Sequence, residues 1–142
     1  MESIDYKEHS LSRNCIYLKS IINIETDDIL YVLSTKNYIE IRTQSQQEAL
    51  LNKITRLVQS NIDDEEKNKY EKLDYKVRNY SKAVKVTSKG SINLGSSVAG
   101  YYGLSSESKI IIEKCNDCIR LWHPNMFNIY YDNLANNGKR RK

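Results

Sequence analysis

Apolar residues alternate with polar ones in some stretches of this chain and recur every three or four residues in others. Cys15-Ile16-Tyr17-Leu18 is short and apolar, as a buried strand would be. Residues 29–33 and 38–42 read as two strands around the turn Ser34-Thr35-Lys36-Asn37, which predicts a hairpin. Leu50, Ile54 and Leu57/Val58 then fall at helical spacing within residues 44–60. A second helix follows, in which Asp63 with Glu66 makes a capping-box pattern and Tyr70, Leu73, Val77 and Tyr80 continue one apolar stripe. Val84 and Val86 alternate with lysines, the pattern of a half-exposed strand.

The second half repeats this order. Residues 92–94 predict a short strand, and Gly95 to Gly103 bracket a short helix. Residues 109–114 and 118–122 predict two strands around the two-residue turn Asn116-Asp117. His123-Pro124 opens a last helix, with proline where its missing N–H costs nothing; its face is Phe127, Tyr130, Tyr131 and Leu134, and Gly138 is expected to end it. The repetition has definite offsets. Residues 12–18 align with 88–94 at an offset of 76, and Ile39 and Ile41 align with Ile119 and Leu121 at an offset of 80. Neither copy is large enough to bury a core alone. The expectation is an α+β fold in which two copies close one shared β-barrel by pseudo-twofold symmetry, flanked by helices. The boundaries follow: a first repeat over 1–60, a connecting helix over 61–82, a second repeat over 83–136 and a basic tail over 137–142.

Composition fits this picture. The chain has 142 residues, 39% hydrophobic, enough for one domain or two halves sharing a core. One proline and five glycines argue against disorder. Eleven tyrosines against one Trp and one Phe make tyrosine the aromatic core filler. No apolar run approaches the roughly 20 residues that span a bilayer, and the N-terminus lacks a charged-then-apolar leader, so the expected location is the cytoplasm. Charge is uneven. Residues 1–70 carry nine basic and twelve acidic side chains, net −3; residues 71–142 carry thirteen and six, net +7. A basic half attracts phosphate backbones, although a solvated surface with a basic tail has the same composition.

Little in the chain points to catalysis. Cys115 to Cys118 is a lone C-x-x-C, short of the second pair or added histidines that a zinc site needs. His9 and His123 are isolated, and His123 reads as part of a helix cap. "SKGSINLGSS" has glycines five apart but no lysine after Gly95, so it is no phosphate loop. Asp63, Asp64, Glu65 and Glu66 form a charged first helical turn rather than paired catalytic carboxylates. No enzyme, metal site or cofactor is expected.

The segment "KVTSKGSINLGSSVAGYYGLSSESKIIIEKCNDCIRLW" resembles an AbrB-type swapped-hairpin domain. With the doubled unit, the length and the closing "IRLWHPNMFNIYYDNL", residues 5–135 resemble the MraZ family of bacterial transcriptional regulators. The resemblance implies binding to short DNA repeats upstream of the division and cell-wall gene cluster, a nucleoid-associated location, and ring-shaped homo-oligomers. It also implies one Asp-x-x-x-Arg contact motif per repeat, with a proline soon after. The arginine would reach phosphate or guanine, and the aspartate would hold it in place. Here those positions are Thr87 and Ser91 in the second copy, with Gly95 for the proline, and Leu11 and Cys15 in the first, with Lys19. The remaining basic set is Arg13 and Lys89, at equivalent positions of the two loops, with Lys19, Arg78, Lys82 and Lys85 near them in sequence. Arg13, Lys19, Lys82, Lys85 and Lys89 would grip phosphates of double-stranded DNA, with Ser12 and Ser88 as hydrogen-bond donors. The other reading is an oligomeric structural or interaction protein that keeps the fold without specific DNA binding.

Overall fold

A computed structural model describes residues 5–10, 14–102 and 109–140, with side chains for 14–102 and 109–134. The described residues form a mixed α+β structure of four helices and two antiparallel sheets. The strands are β1 (Asp5–Ser10), β2 (Cys15–Tyr17), β3 (Ile29–Ser34), β4 (Ile39–Thr43), β5 (Lys82–Lys85), β6 (Ser91–Asn93), β7 (Lys109–Lys114) and β8 (Ile119–Trp122). The helices are α1 (Gln44–Gln59), α2 (Asp64–Tyr80), α3 (Ser96–Tyr101) and α4 (Pro124–Arg140).

Strand pairing follows the sequence offsets. The larger sheet runs β1-β7-β8-β4-β3-β5, and β2 pairs with β6 in a separate ribbon. In the ribbon Ile16 faces Ile92, an offset of 76. In the first hairpin Val32 faces Ile41, and in the second Ile112 faces Leu121, each partner moved by 80. Across the centre Ile39 faces Leu121 and Ile41 faces Ile119, the reciprocal pattern that equivalent strands make about a local twofold. The outer strands are exchanged: β1 of the first half pairs with β7 of the second, and β5 of the second half pairs with β3 of the first.

The expected closed barrel is not formed. Among the described residues β1 and β5 remain the two edges of the larger sheet, and no pairing joins them. The ribbon covers the inner face instead. Ile16, Leu18, Ile92 and Leu94 pack in one core with Leu30, Val32, Ile39, Ile41, Ile110, Ile112, Ile119 and Leu121. Period-two alternation puts these aliphatic residues on one face, so burial rather than edge closure seals the sheet.

Helices α1, α2 and α4 cover the other face. Leu33, Ile54 and Val77 join α1 and α2 to the first hairpin, with Leu50, Leu51, Val58 and Tyr70 against them. Ile111, Trp122 and Phe127 join α4 to the second, with Tyr38, Met126 and Tyr131. The stripe expected on α2 is narrower than its spacing suggested: Val77 is buried and Tyr70 partly so, while Leu73 and Tyr80 are exposed. Helix starts are capped at equivalent positions. Thr43 and Gln46 form a complete capping box before α1, and His123 Nδ1 accepts from the Asn125 N–H (3.1 Å) before α4. Asp63 accepts from the Glu66 N–H (2.8 Å), half of the box expected there. Helix α4 continues through Gly138 to Arg140. A glycine costs a helix interior about 1 kcal/mol and does not by itself end it.

One polar group is buried under α4. Glu113 is 4% exposed; it accepts from Trp122 Nε1 (3.0 Å) and from the Tyr131 hydroxyl, with Arg120 3.7 Å away. The Arg120 guanidinium in turn lies over the Tyr38 ring, 4.7 Å from its centre. Burial and the Glu113 carboxylate hold the Tyr131 phenol well above its ordinary 10.0, and burial also raises Tyr38 and Tyr102. A raised phenol binds its proton more tightly in the folded state. Its stabilisation is complete below the unfolded value of 10.0 and is lost as pH rises through the folded values. The urea midpoint should therefore fall as pH climbs past 10.0, and Tyr131→Phe should make that fall shallower; an equally steep fall in the variant would remove Tyr131 from the account.

Candidate nucleic-acid interface

The ribbon, the turn before β6 and strand β5 carry those of the expected DNA contacts that the structure describes. The second turn leaves β5 at Lys85 and enters β6 at Ser91. Its closure uses backbone and one hydroxyl: Thr87 N–H donates to Ser91 O (2.8 Å), Gly90 N–H to Thr87 O (2.9 Å), and Ser91 N–H to Thr87 Oγ1 (3.2 Å). A carboxylate at residue 87 would accept the same Ser91 N–H. The threonine closes the turn through its hydroxyl, whereas Ser91 supplies no guanidinium.

The residue before each ribbon strand is tied to the segment that follows the other strand. Gly90 O accepts from the N–H groups of Leu18 (3.0 Å) and Lys19 (3.2 Å), and Asn14 O accepts from the Leu94 N–H (2.8 Å), the equivalent bond at the offset of 76. Asn14 and Gly90, equivalent residues, both have positive φ, 64° and 81°. At Gly90 the reason is double. An L side chain rarely adopts that φ, and a Cβ there would meet Lys19 Cβ at 2.5 Å.

This packing lays Lys19 on the second turn, beside the exposed Ser88 and Lys89 at its tip. Lys85 is exposed at the end of β5, two residues before Thr87. Lys82 is exposed at the far end of that strand, about 10 Å away at 3.3 Å per residue, next to the end of α2. Strand alternation also turns it to the opposite face from Lys85. Ser12 and Arg13 lie outside the described residues. The structure therefore brings together Lys19, Ser88 and Lys89, with Lys85 adjoining, and does not bring Lys82 to them. Arg78 is engaged elsewhere, its Nε donating to both oxygens of Asp74 (3.0 and 3.1 Å).

Acidic residues border the same face. Asp27 N–H donates to Val86 O (2.9 Å), and Val86 N–H to Asp28 O (2.8 Å), so the turn before β3 is tied to the strand leading into the basic loop. Glu25 N–H donates to the Asp28 carboxylate (2.9 Å). Sequence reasoning passed over this turn because its acids stand about 60 residues before Lys89, and only the β3–β5 pairing brings the two segments together.

Two other features lie outside the interface. Sequence reasoning missed the buried set around Glu113, whose one signal is an acid within the otherwise apolar strand 110–113. Cys15, Cys115 and Cys118 are free thiols. Among the described residues, no three His, Cys, Asp or Glu side chains are grouped to hold a metal ion, and no helix is long and apolar enough to cross a membrane.

Replacing Gly90 by alanine tests the packing of the second turn on the segment after β2. The variant should lose roughly 1–3 kcal/mol in urea unfolding, the range for a non-glycine residue held at positive φ. Unchanged stability would mean that the second turn can part from Lys19 without cost.

No protein-family model and no curated protein matches this chain.

Proposed function

We propose that the chain is a DNA-binding transcriptional regulator of the MraZ type, built from two AbrB-like swapped-hairpin repeats. The observation that carries this reading is the exchange of strands between the halves, with β2 and β6 paired at the offset of 76. That arrangement relates the two halves by a local twofold, as in a repeat-built DNA reader, and puts the second turn against the end of β2. Lys19, Lys85 and Lys89 supply the positive charge there and Ser88 a hydroxyl donor. Lysines without a planar guanidinium grip phosphates and carry little base discrimination, so binding is dominated by the backbone and specificity is low. A homo-oligomer, closed as a ring, would multiply such weak patches by multivalency, and a nucleoid location follows from DNA binding.

The second reading, an oligomeric structural or interaction protein, is favoured by the acidic border. Glu25, Asp27 and Asp28 offset part of the lysine charge close to the turn.

Titrating the protein with a labelled duplex from its own upstream region across a salt series separates the two. For the regulator, affinity falls steeply with salt, and Lys89→Ala and Lys19→Ala each lower the slope by about 0.9. Lys82→Ala leaves it unchanged, because that side chain is remote from the turns. Absence of binding at low salt, with the oligomer intact by light scattering, would overturn DNA binding and leave the interaction protein.

A further inference from the structure

The β7–β8 turn holds two cysteines in a setting that the turn itself does not need. Cys115 and Cys118 stand directly opposite each other, with Cys115 N–H donating to Cys118 O (2.9 Å) and the two thiols hydrogen-bonded. The equivalent turn of the first half closes identically, Thr35 N–H to Tyr38 O (2.9 Å), with threonine and tyrosine in place of the cysteines. The fold therefore builds this turn without thiols.

The geometry suits a covalent link. Directly opposed, hydrogen-bonded residues of an antiparallel pair have Cα atoms roughly 5.5 Å apart. That lies within the window of about 4.4–6.8 Å that a disulfide spans. The two thiols are also unlike. Cys118 is 3% exposed, whereas Cys115 is half-buried at the start of the turn. The hydrogen bond from Cys115, aided by the Arg42 guanidinium, holds Cys118 below the ordinary thiol range against the effect of burial. The same hydrogen bond, with burial, pushes Cys115 up. Arg42 is itself 7% exposed, and among the described residues its Nε and Nη1 have no hydrogen-bond partner. Asn116 and Asp117 at the turn tip line an open groove of about 310 Å³ against α1, with Ala49, Leu50 and Lys53, so a small reagent can approach the turn.

We propose that Cys115 and Cys118 form a reversible disulfide by exchange with low-molecular-weight disulfides of the glutathione class, making the β7–β8 turn a redox-responsive staple. Cys115, the more accessible sulfur, gives up its proton to water and attacks one sulfur of the small disulfide. The reagent's S–S bond breaks, one thiol leaves, and a mixed disulfide forms on Cys115. Cys118, after losing its proton, attacks Cys115 Sγ, forming the protein S–S bond and releasing the second thiol. Two protein thiols and one small disulfide become one protein disulfide and two small thiols. The two electrons and two protons lost by the cysteines appear in the released thiols.

The full chain incubated at graded ratios of oxidised to reduced glutathione tests this. After acid quenching and alkylation, trypsin cleaves behind Lys114 and Arg120 and isolates residues 115–120, which contain both cysteines and neither Cys15 nor any other thiol. The expected result is a fragment with either two alkyl groups or none, the unlabelled form lighter by two hydrogens and restored by reductant. Cys118→Ser should trap glutathione on Cys115, since the resolving sulfur is gone. Two alkyl groups on the fragment at every ratio, including those that modify Cys15, would overturn the proposal. So would wild-type fragment that accumulates glutathione instead of the internal disulfide.

Discussion

Each half of this chain lends a strand to the other half's hairpin, and the rest of the structure depends on that exchange. A lone hairpin exposes one apolar face and two unpaired edges, and is at best marginally stable in water. Here β1 covers one edge of the β7–β8 hairpin, β5 covers one edge of the β3–β4 hairpin, and β4 meets β8 in the centre. The inner face is then closed by the β2–β6 ribbon, one strand from each half. The boundaries expected at 60 and 83 mark repeats in sequence, but they do not mark units that could fold apart. Helix α2 makes the exchange possible: 17 residues at 1.5 Å each reach about 26 Å, carrying the chain from the end of α1 back to the edge of β3.

The same exchange shapes the candidate interface. Because β2 and β6 pair antiparallel about their central isoleucines, the turn before β6 must lie against the segment after β2, and Gly90 must give up its side chain to admit Lys19. The resulting surface is electrostatically mixed. The pairing that gathers Lys19, Lys85 and Lys89 also draws in the turn from Glu25 to Asp28. Charge summed over the second half, net +7, overstates the potential at the turns: four of the thirteen basic residues are in the last four positions, and neighbours from the first half are acidic.

What was legible in the sequence is what short-range physics determines. Hairpins announced by alternation and turn residues formed where expected, as did α1, α2 and the offsets of 76 and 80. Strand β1 gave no such signal. Asp5-Tyr6-Lys7-Glu8-His9-Ser10 lacks an aliphatic alternation, and its strand state comes from pairing with β7, about a hundred residues away. The barrel was over-read because edge protection was equated with closure, whereas the edges here remain and a ribbon covers the core. Of the seven expected contact residues, Lys19, Ser88 and Lys89 could be grouped only once the packing of Lys19 on Gly90 was known. Lys82 was misgrouped with Lys85 because closeness in sequence ignores the alternation of a strand.

The two faces of the large sheet show where chemistry can enter such a duplicated fold. On the inner face the equivalent residues of the two hairpins and of the ribbon over them are aliphatic in both halves: Leu30 and Ile110, Val32 and Ile112, Ile39 and Ile119, Ile41 and Leu121, Ile16 and Ile92, Leu18 and Leu94. Both halves fill one shared volume, so a change in either must be matched by the other. On the outer face each hairpin has its own helical cover, and the equivalents diverge: Tyr31 and Ile111, Leu33 and Glu113, Glu40 and Arg120, Arg42 and Trp122, Tyr38 and Cys118. The first hairpin sits under two helices and presents Leu33 to them, whereas the second sits under α4 alone and satisfies Glu113 with Trp122 and Tyr131. A constraint shared between halves therefore keeps the inner residues alike, and its absence on the outer face leaves room for ion pairs and thiols. Glu113, Arg120 and the Cys115–Cys118 turn lie on that less constrained side, in the half with the thinner cover.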